Sequence, residues 1–263
     1  MEQDLNQSIE SIITSLLKVP GIKVDRSNLL MKIYKKYLPE DKLPILISKG
    51  PIEAGISVET ISKKAKSVIN NRSLQSSGLS FLAGLPGGFA LFGTIPADTI
   101  QTFAVALILA QELVYLYGGN DLWEDDLLDE EAVRDQFLLY LGVMLGVGGA
   151  ATTLRLISHS LSQQVLKKLP QKALTKTMYY PLIKNIGKLV GIRVTKQTFS
   201  KGVSKAIPIL GGIISGGLTY FSLKPMGERL EKTLYETTHY TEKDYKQDLQ
   251  EIKNTFEEIQ LDF

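Results

Sequence analysis

The chain has 263 residues, 44% hydrophobic and 22% charged, with a net charge of +2. This is the composition of an ordinary globular protein with enough length for a substantial core, so intrinsic disorder is excluded as the default. It contains no cysteine, which excludes disulfides, thiolate metal sites and a cysteine nucleophile.

The opening MEQDLNQSIESIITSLLKV has neither the basic start nor the compact apolar run of a secretion signal, so a cytoplasmic location is expected. Its Leu5, Ile9, Ile12, Ile13 and Leu16 fall at helical spacing, and Pro20-Gly21 stops the helix. A second helix is predicted after Ser27, with Leu29, Leu30, Ile33, Tyr34 and Tyr37 on one side. Pro39 and Pro44 divide the next stretch. Ser57 then reads as the N-cap of a helix carrying Ile61, Ala65, Val68 and Ile69.

From Gly78 to Gly119 the chain is almost uncharged, punctuated by Pro86-Gly87-Gly88 and Ile95-Pro96. Asp98, with Gln101 three residues on, matches the N-cap of a capping box. That helix should run to about Tyr117 and end at Gly118-Gly119. After an acidic connection around Trp123 comes the apolar run Phe137–Leu154, then breaks at Pro170 and Pro181 and a basic amphipathic segment to Lys205. IRVT at 192–195 is the one strand-like fragment and is read as helix. A last apolar helix follows Pro208. Tyr245, Leu249, Ile252, Phe256, Ile259 and Phe263 then form an amphipathic seam of under three heptads, expected to dock on its own domain. The predicted fold is all-α: a helical bundle with glycine-rich hydrophobic hairpins. Residues 1–235 form its main domain (1–72 N-terminal helices, 78–222 core hairpins), and 241–263 form a C-terminal helix.

Charge is unevenly spread. Residues 112–135 carry a net −8, whereas 155–205 hold eleven Lys or Arg and no acid. Its cations Lys167, Lys168, Lys172, Lys176, Lys184, Lys188, Arg193, Lys196, Lys201 and Lys205 admit three readings. They can pair with the chain's own acidic segment, lie against anionic lipid, or bind nucleic acid. Nucleic acid is disfavoured, since the block has few aromatics and no helix-turn-helix or RRM pattern.

Small residues recur at steps of four: Gly142, Gly146 and Ala150; Gly212 and Gly216; and Gly84 and Gly88 across Pro86. Such spacing allows close helix packing, in a soluble core or in a bilayer. The uncharged runs 136–154 and 206–223 reach the lower length limit of a membrane span, and composition leaves both solvents open.

Recognisable catalytic chemistry is absent. GVGGAA at 146–151 imitates a dinucleotide fingerprint but lacks the acid expected about 20 residues later. There is no Walker loop, G-x-S-x-G elbow or H-E-x-x-H. His159 and His239 are isolated from carboxylate clusters, so no metal or cofactor is expected. Asp98, the sole charge between Arg72 and Glu112, is the one candidate carboxylate for an apolar ligand pocket.

GLSFLAGLPGGFALFGTIPADTIQTFAVALILAQELVYLYG at 78–118, FLLYLGVMLGVGGAA at 137–151 and KGVSKAIPILGGIISGGLTYFSLKPMGERL at 201–230 together resemble the EcsC family over most of 25–232. The resemblance implies a bacterial, helical, cytoplasmic or membrane-associated protein, and brings no catalytic residues with it. The expected function is therefore a non-enzymatic accessory protein at the inner face of the cell membrane. Its expected partners are an anionic lipid surface or a membrane complex such as an exporter, with a second copy of the chain as a further candidate. Two alternatives stand beside it: a conditional membrane-inserting effector of stress or phage defence, and a small-ligand carrier or enzyme with a pocket near Asp98.

Overall fold

The computed structural model describes residues 13–19, 21–75, 97–123, 130–162 and 217–261, and every regular element among them is helical. The elements are α1 (Arg26–Tyr34), two 3₁₀ turns at Lys35–Tyr37 and Glu40–Lys42, α2 (Leu43–Lys49), α3 (Pro51–Ala54) and α4 (Val58–Gln75), then α5 (Ala97–Leu116), α6 (Glu130–Leu145), α7 (Ala150–Ser162), α8 (Gly217–Thr237) and α9 (Glu242–Leu261). All-α architecture is as the sequence predicts.

α5 is the centre. Every residue from Phe103 to Tyr117 is buried, which is what a helix apolar on all faces requires. α4, α6, α8 and α1 pack round it. α8 joins α4, α5, α6 and α7 into one core. At the tightest crossing stands Gly227. A Cβ there would lie 2.9 Å from Ile69 Cγ1 and 3.0 Å from Leu109 Cδ2, so only a glycine lets α8 sit this close to α4 and α5.

Several polar groups inside this apolar frame are paired, as burial demands. Glu112 on α5 receives both arms of Arg72, at 2.7 and 2.5 Å. Gln111 ties three segments together. Its amide nitrogen donates to the Ile22 and Leu107 carbonyls, and its oxygen accepts from Val24 N and Trp123 Nε1. Arg26, only 7% exposed, donates to the carbonyls of Gly119 and Ile47.

Helix ends follow local rules, with three corrections. Ser57 Oγ accepts from Thr60 N at 3.3 Å, so it caps α4 as predicted. α1, however, starts before Ser27. Asp25 is its cap, accepting from Asn28 N at 2.9 Å, because Arg26 must lie in the first turn to reach its buried carbonyls. α5 ends as expected: Gly118 takes φ 88°, Gly119 N bonds Val114 O and Gly118 N bonds Tyr115 O, a Schellman pair. It begins two residues earlier than an Asp98 cap would need, so Asp98 is its second residue and lies in the first turn.

The third correction concerns 136–154. Gly142, Gly146 and Ala150 do not share a helix face. α6 stops at Leu145, Gly146 takes φ 73°, and Val147 N bonds back to Gly142 O at 2.8 Å. This is another Schellman stop, and α7 restarts at Ala150. The apolar run is thus two core helices. Among the described residues no helix is long and apolar enough to cross a membrane.

A close contact joins the N-terminal helices to this core. Gly50, at φ 92° between α2 and α3, sits so near the end of α5 that a Cβ on it would be 2.9 Å from Gly118 Cα.

Candidate functional site

Two helices build the cleft. On α4, Glu59, Ser62, Lys63 and Lys66 are spaced three, four and seven apart and so share one face. Opposite them stand Glu231, Lys232 and Tyr235 of α8, and the open space between is about 570 Å³. The floor is Glu231, only 6% exposed. One of its oxygens, Oε1, accepts from Ser62 Oγ at 2.6 Å and from Tyr117 OH at 2.7 Å. Burial raises the Tyr117 pKa well above the phenol range, and donation to Glu231 raises it further, so this hydroxyl remains a donor. The neighbouring Tyr34 hydroxyl is buried with no hydrogen-bond partner among the described residues.

A basic aromatic face adjoins this site. Tyr37, 44% exposed, lies between two cations: Lys64 Nζ is 4.9 Å from its ring centroid and Lys36 Nζ 5.2 Å. Both distances are in the cation–π range. Lys64, and after it Lys36, holds the phenol below its ordinary pKa of 10.0. Lys32, Lys35, Lys63 and Lys66 are also exposed on α1, the following 3₁₀ turn and α4.

No protein-family model, curated protein or solved structure matches this chain.

The arrangement is one of binding groups. It offers two carboxylates, two hydroxyls and three ammonium groups, with no histidine among the described residues that line the cleft. Among the described residues no group of three or more His, Asp or Glu could hold a metal ion. His239 is exposed, with Nδ1 2.8 Å from Thr238 Oγ1 and its ring 5.2 Å from that of Tyr235.

Gly84, Gly88, Gly212 and Gly216 fall outside the described residues, as do Lys167, Lys168, Lys172, Lys176, Lys184, Lys188, Arg193, Lys196, Lys201 and Lys205, and the 192–195 fragment. Asp98 is placed in the first turn of α5, and its side chain lies outside the described part of the structure. The basic block's first member, Arg155, is described, and among the described residues its acidic partners are Asp248 and Glu236. Its Nε and Nη2 clasp Asp248 at 2.8 and 3.0 Å, and Nη1 bonds Glu236 at 3.0 Å.

Ser62, Tyr117 and Glu231 were not found by motif because they belong to none. A signal does exist. Leu223, Met226, Leu230 and Leu234 mark the inward stripe of α8, and Glu231 lies four residues after Gly227 beside that stripe. Ser62 sits likewise beside Ile61, Ala65 and Ile69. A carboxylate and a hydroxyl bordering apolar stripes can meet where those helices cross.

Proposed function

We propose that the protein is a non-enzymatic accessory protein that docks peripherally on an anionic membrane surface. One observation carries this reading: an exposed tyrosine with two lysines over its ring, and further exposed lysines on α1, the following 3₁₀ turn and α4. An amphipathic ring suits the depth of lipid headgroups, and each nearby lysine contributes about 1 kcal/mol at an anionic surface. The resemblance to the EcsC family supports the same reading, as does the acid-free run 155–205, a second source of positive charge.

The test is co-sedimentation with vesicles. Binding to phosphatidylglycerol-containing vesicles, weakening as salt rises, is expected, with little binding to phosphatidylcholine alone. Lys36→Glu with Lys64→Glu should lower the affinity about tenfold or more. Failure to sediment with anionic vesicles at low salt overturns the proposal.

A further inference from the structure

We propose that the cleft between α4 and α8 binds a phosphodiester headgroup that carries a hydrogen-bond donor, a hydroxyl or an ammonium, at its free end. The inference rests on the membrane-docking reading for its biological source and on the cleft alone for its chemistry.

Burying a carboxylate is costly unless its lone pairs are satisfied. Glu231 is nine-tenths buried, yet both hydroxyls that reach it donate to Oε1. Among the described residues no hydrogen bond is made to Oε2, which keeps contact with solvent where Glu231 lines the cleft. A donor entering the cleft would take the place of that solvent. The walls are mostly cationic: Lys63, Lys66 and Lys232 line the same space with one exposed carboxylate, Glu59, and among the described residues neither Lys63 nor Lys66 is in an ion pair. A molecule complementary to both carries a negative group near the mouth and a donor at the far end. A phosphodiester to glycerol or ethanolamine has that order, whereas inorganic phosphate has only the anion. The space, about 570 Å³, is ample for such a head. Lys63 and Lys66 of the cleft and Lys64 of the Tyr37 contact all lie on α4, which links the cleft to the docking face of the proposed function.

The experiment uses the full chain and amide chemical-shift titration. The probes are glycerophosphoglycerol, glycerophosphoethanolamine and inorganic phosphate, with phosphatidylglycerol and phosphatidylethanolamine nanodiscs as the lipid arm. A headgroup should perturb α4 and α8 amides and bind about tenfold more tightly than inorganic phosphate. Glu231→Gln keeps an acceptor for Ser62 and Tyr117 and should remove that preference. Lys63→Gln with Lys66→Gln, at exposed positions where folding is not at stake, should weaken binding of every phosphate probe about tenfold. Perturbation by the soluble heads identifies a free phosphodiester as sufficient; perturbation only by nanodiscs identifies the lipid as the source. Equal affinity for headgroup and inorganic phosphate overturns the proposal, as does the absence of α4 and α8 shifts with every probe. Lys36→Glu with Lys64→Glu separates the two readings. If it abolishes vesicle binding while soluble headgroups still bind, the cleft stands apart from the docking face. Vesicle binding with no cleft response sinks the cleft alone.

Discussion

At Gly146 the backbone takes φ 73°, a conformation that costs any residue with a Cβ about 1–2 kcal/mol. Gly146→Ala should therefore destabilise the fold by about that amount, read as a lower urea midpoint. Gly148→Ala, two residues on, meets open space at an ordinary φ and should be close to neutral. The contrast explains why the sequence reading failed here and succeeded at Gly118. Both glycines end an apolar helical run. At 118–119 the charge pattern changes at once to an acidic connection, so the stop is visible. At 146 the apolar pattern resumes within four residues, and a step of four fits one continuous helix as well as two. The positive φ that decides between them leaves no trace in spacing. Asp98 shows the milder form of the same limit: its place in the first turn was legible, but not its register within that turn.

The C-terminal helix α9 was the element best announced by its pattern. Its docking on its own domain is observed, with Ile252 buried against Leu156 of α7 and Tyr245 and Leu249 beside them. Thr241 and Asp244 box its start: Thr241 N donates to Asp244 Oδ2 at 2.9 Å and Asp244 N to Thr241 Oγ1 at 3.3 Å. What periodicity could not supply was the partner, because an amphipathic stripe is indifferent to which apolar surface it meets. The choice is made by Arg155, whose guanidinium grips Asp248 and Glu236 while Tyr240 OH donates to Asp248 at 2.5 Å. So small an apolar contact depends on that grip. Arg155→Met should lose about 2 kcal/mol, less than a fully buried pair because Glu236 is partly in solvent. Native-state hydrogen exchange should show the loss in 242–252 and leave α5 protected; an equal loss throughout would mean that α9 unfolds only with the core.

For the whole molecule, the all-helical class was legible because apolar residues recur at helical spacing and strand alternation is missing. The candidate cleft was not, since it arises where α4 and α8 meet, 169 residues apart in sequence at the Ser62–Glu231 bond. Gly227 sets that meeting. Gly227→Ala would push a methyl group into Ile69 and Leu109, and the overpacking should cost about 1–3 kcal/mol in global unfolding with an unchanged denaturant slope. Relief is available there, because the obstructing atoms belong to side chains that a second mutation can shorten. The contact between Gly50 and Gly118 is of another kind. A methyl on Gly50 would strike the Cα of residue 118, an atom common to all twenty amino acids. Substitution at 118 therefore has no means to suppress a defect at Gly50. A genetic screen for revertants of Gly50→Ala would have to recover changes that move the main chain itself, in α3 or in the turn that ends α5.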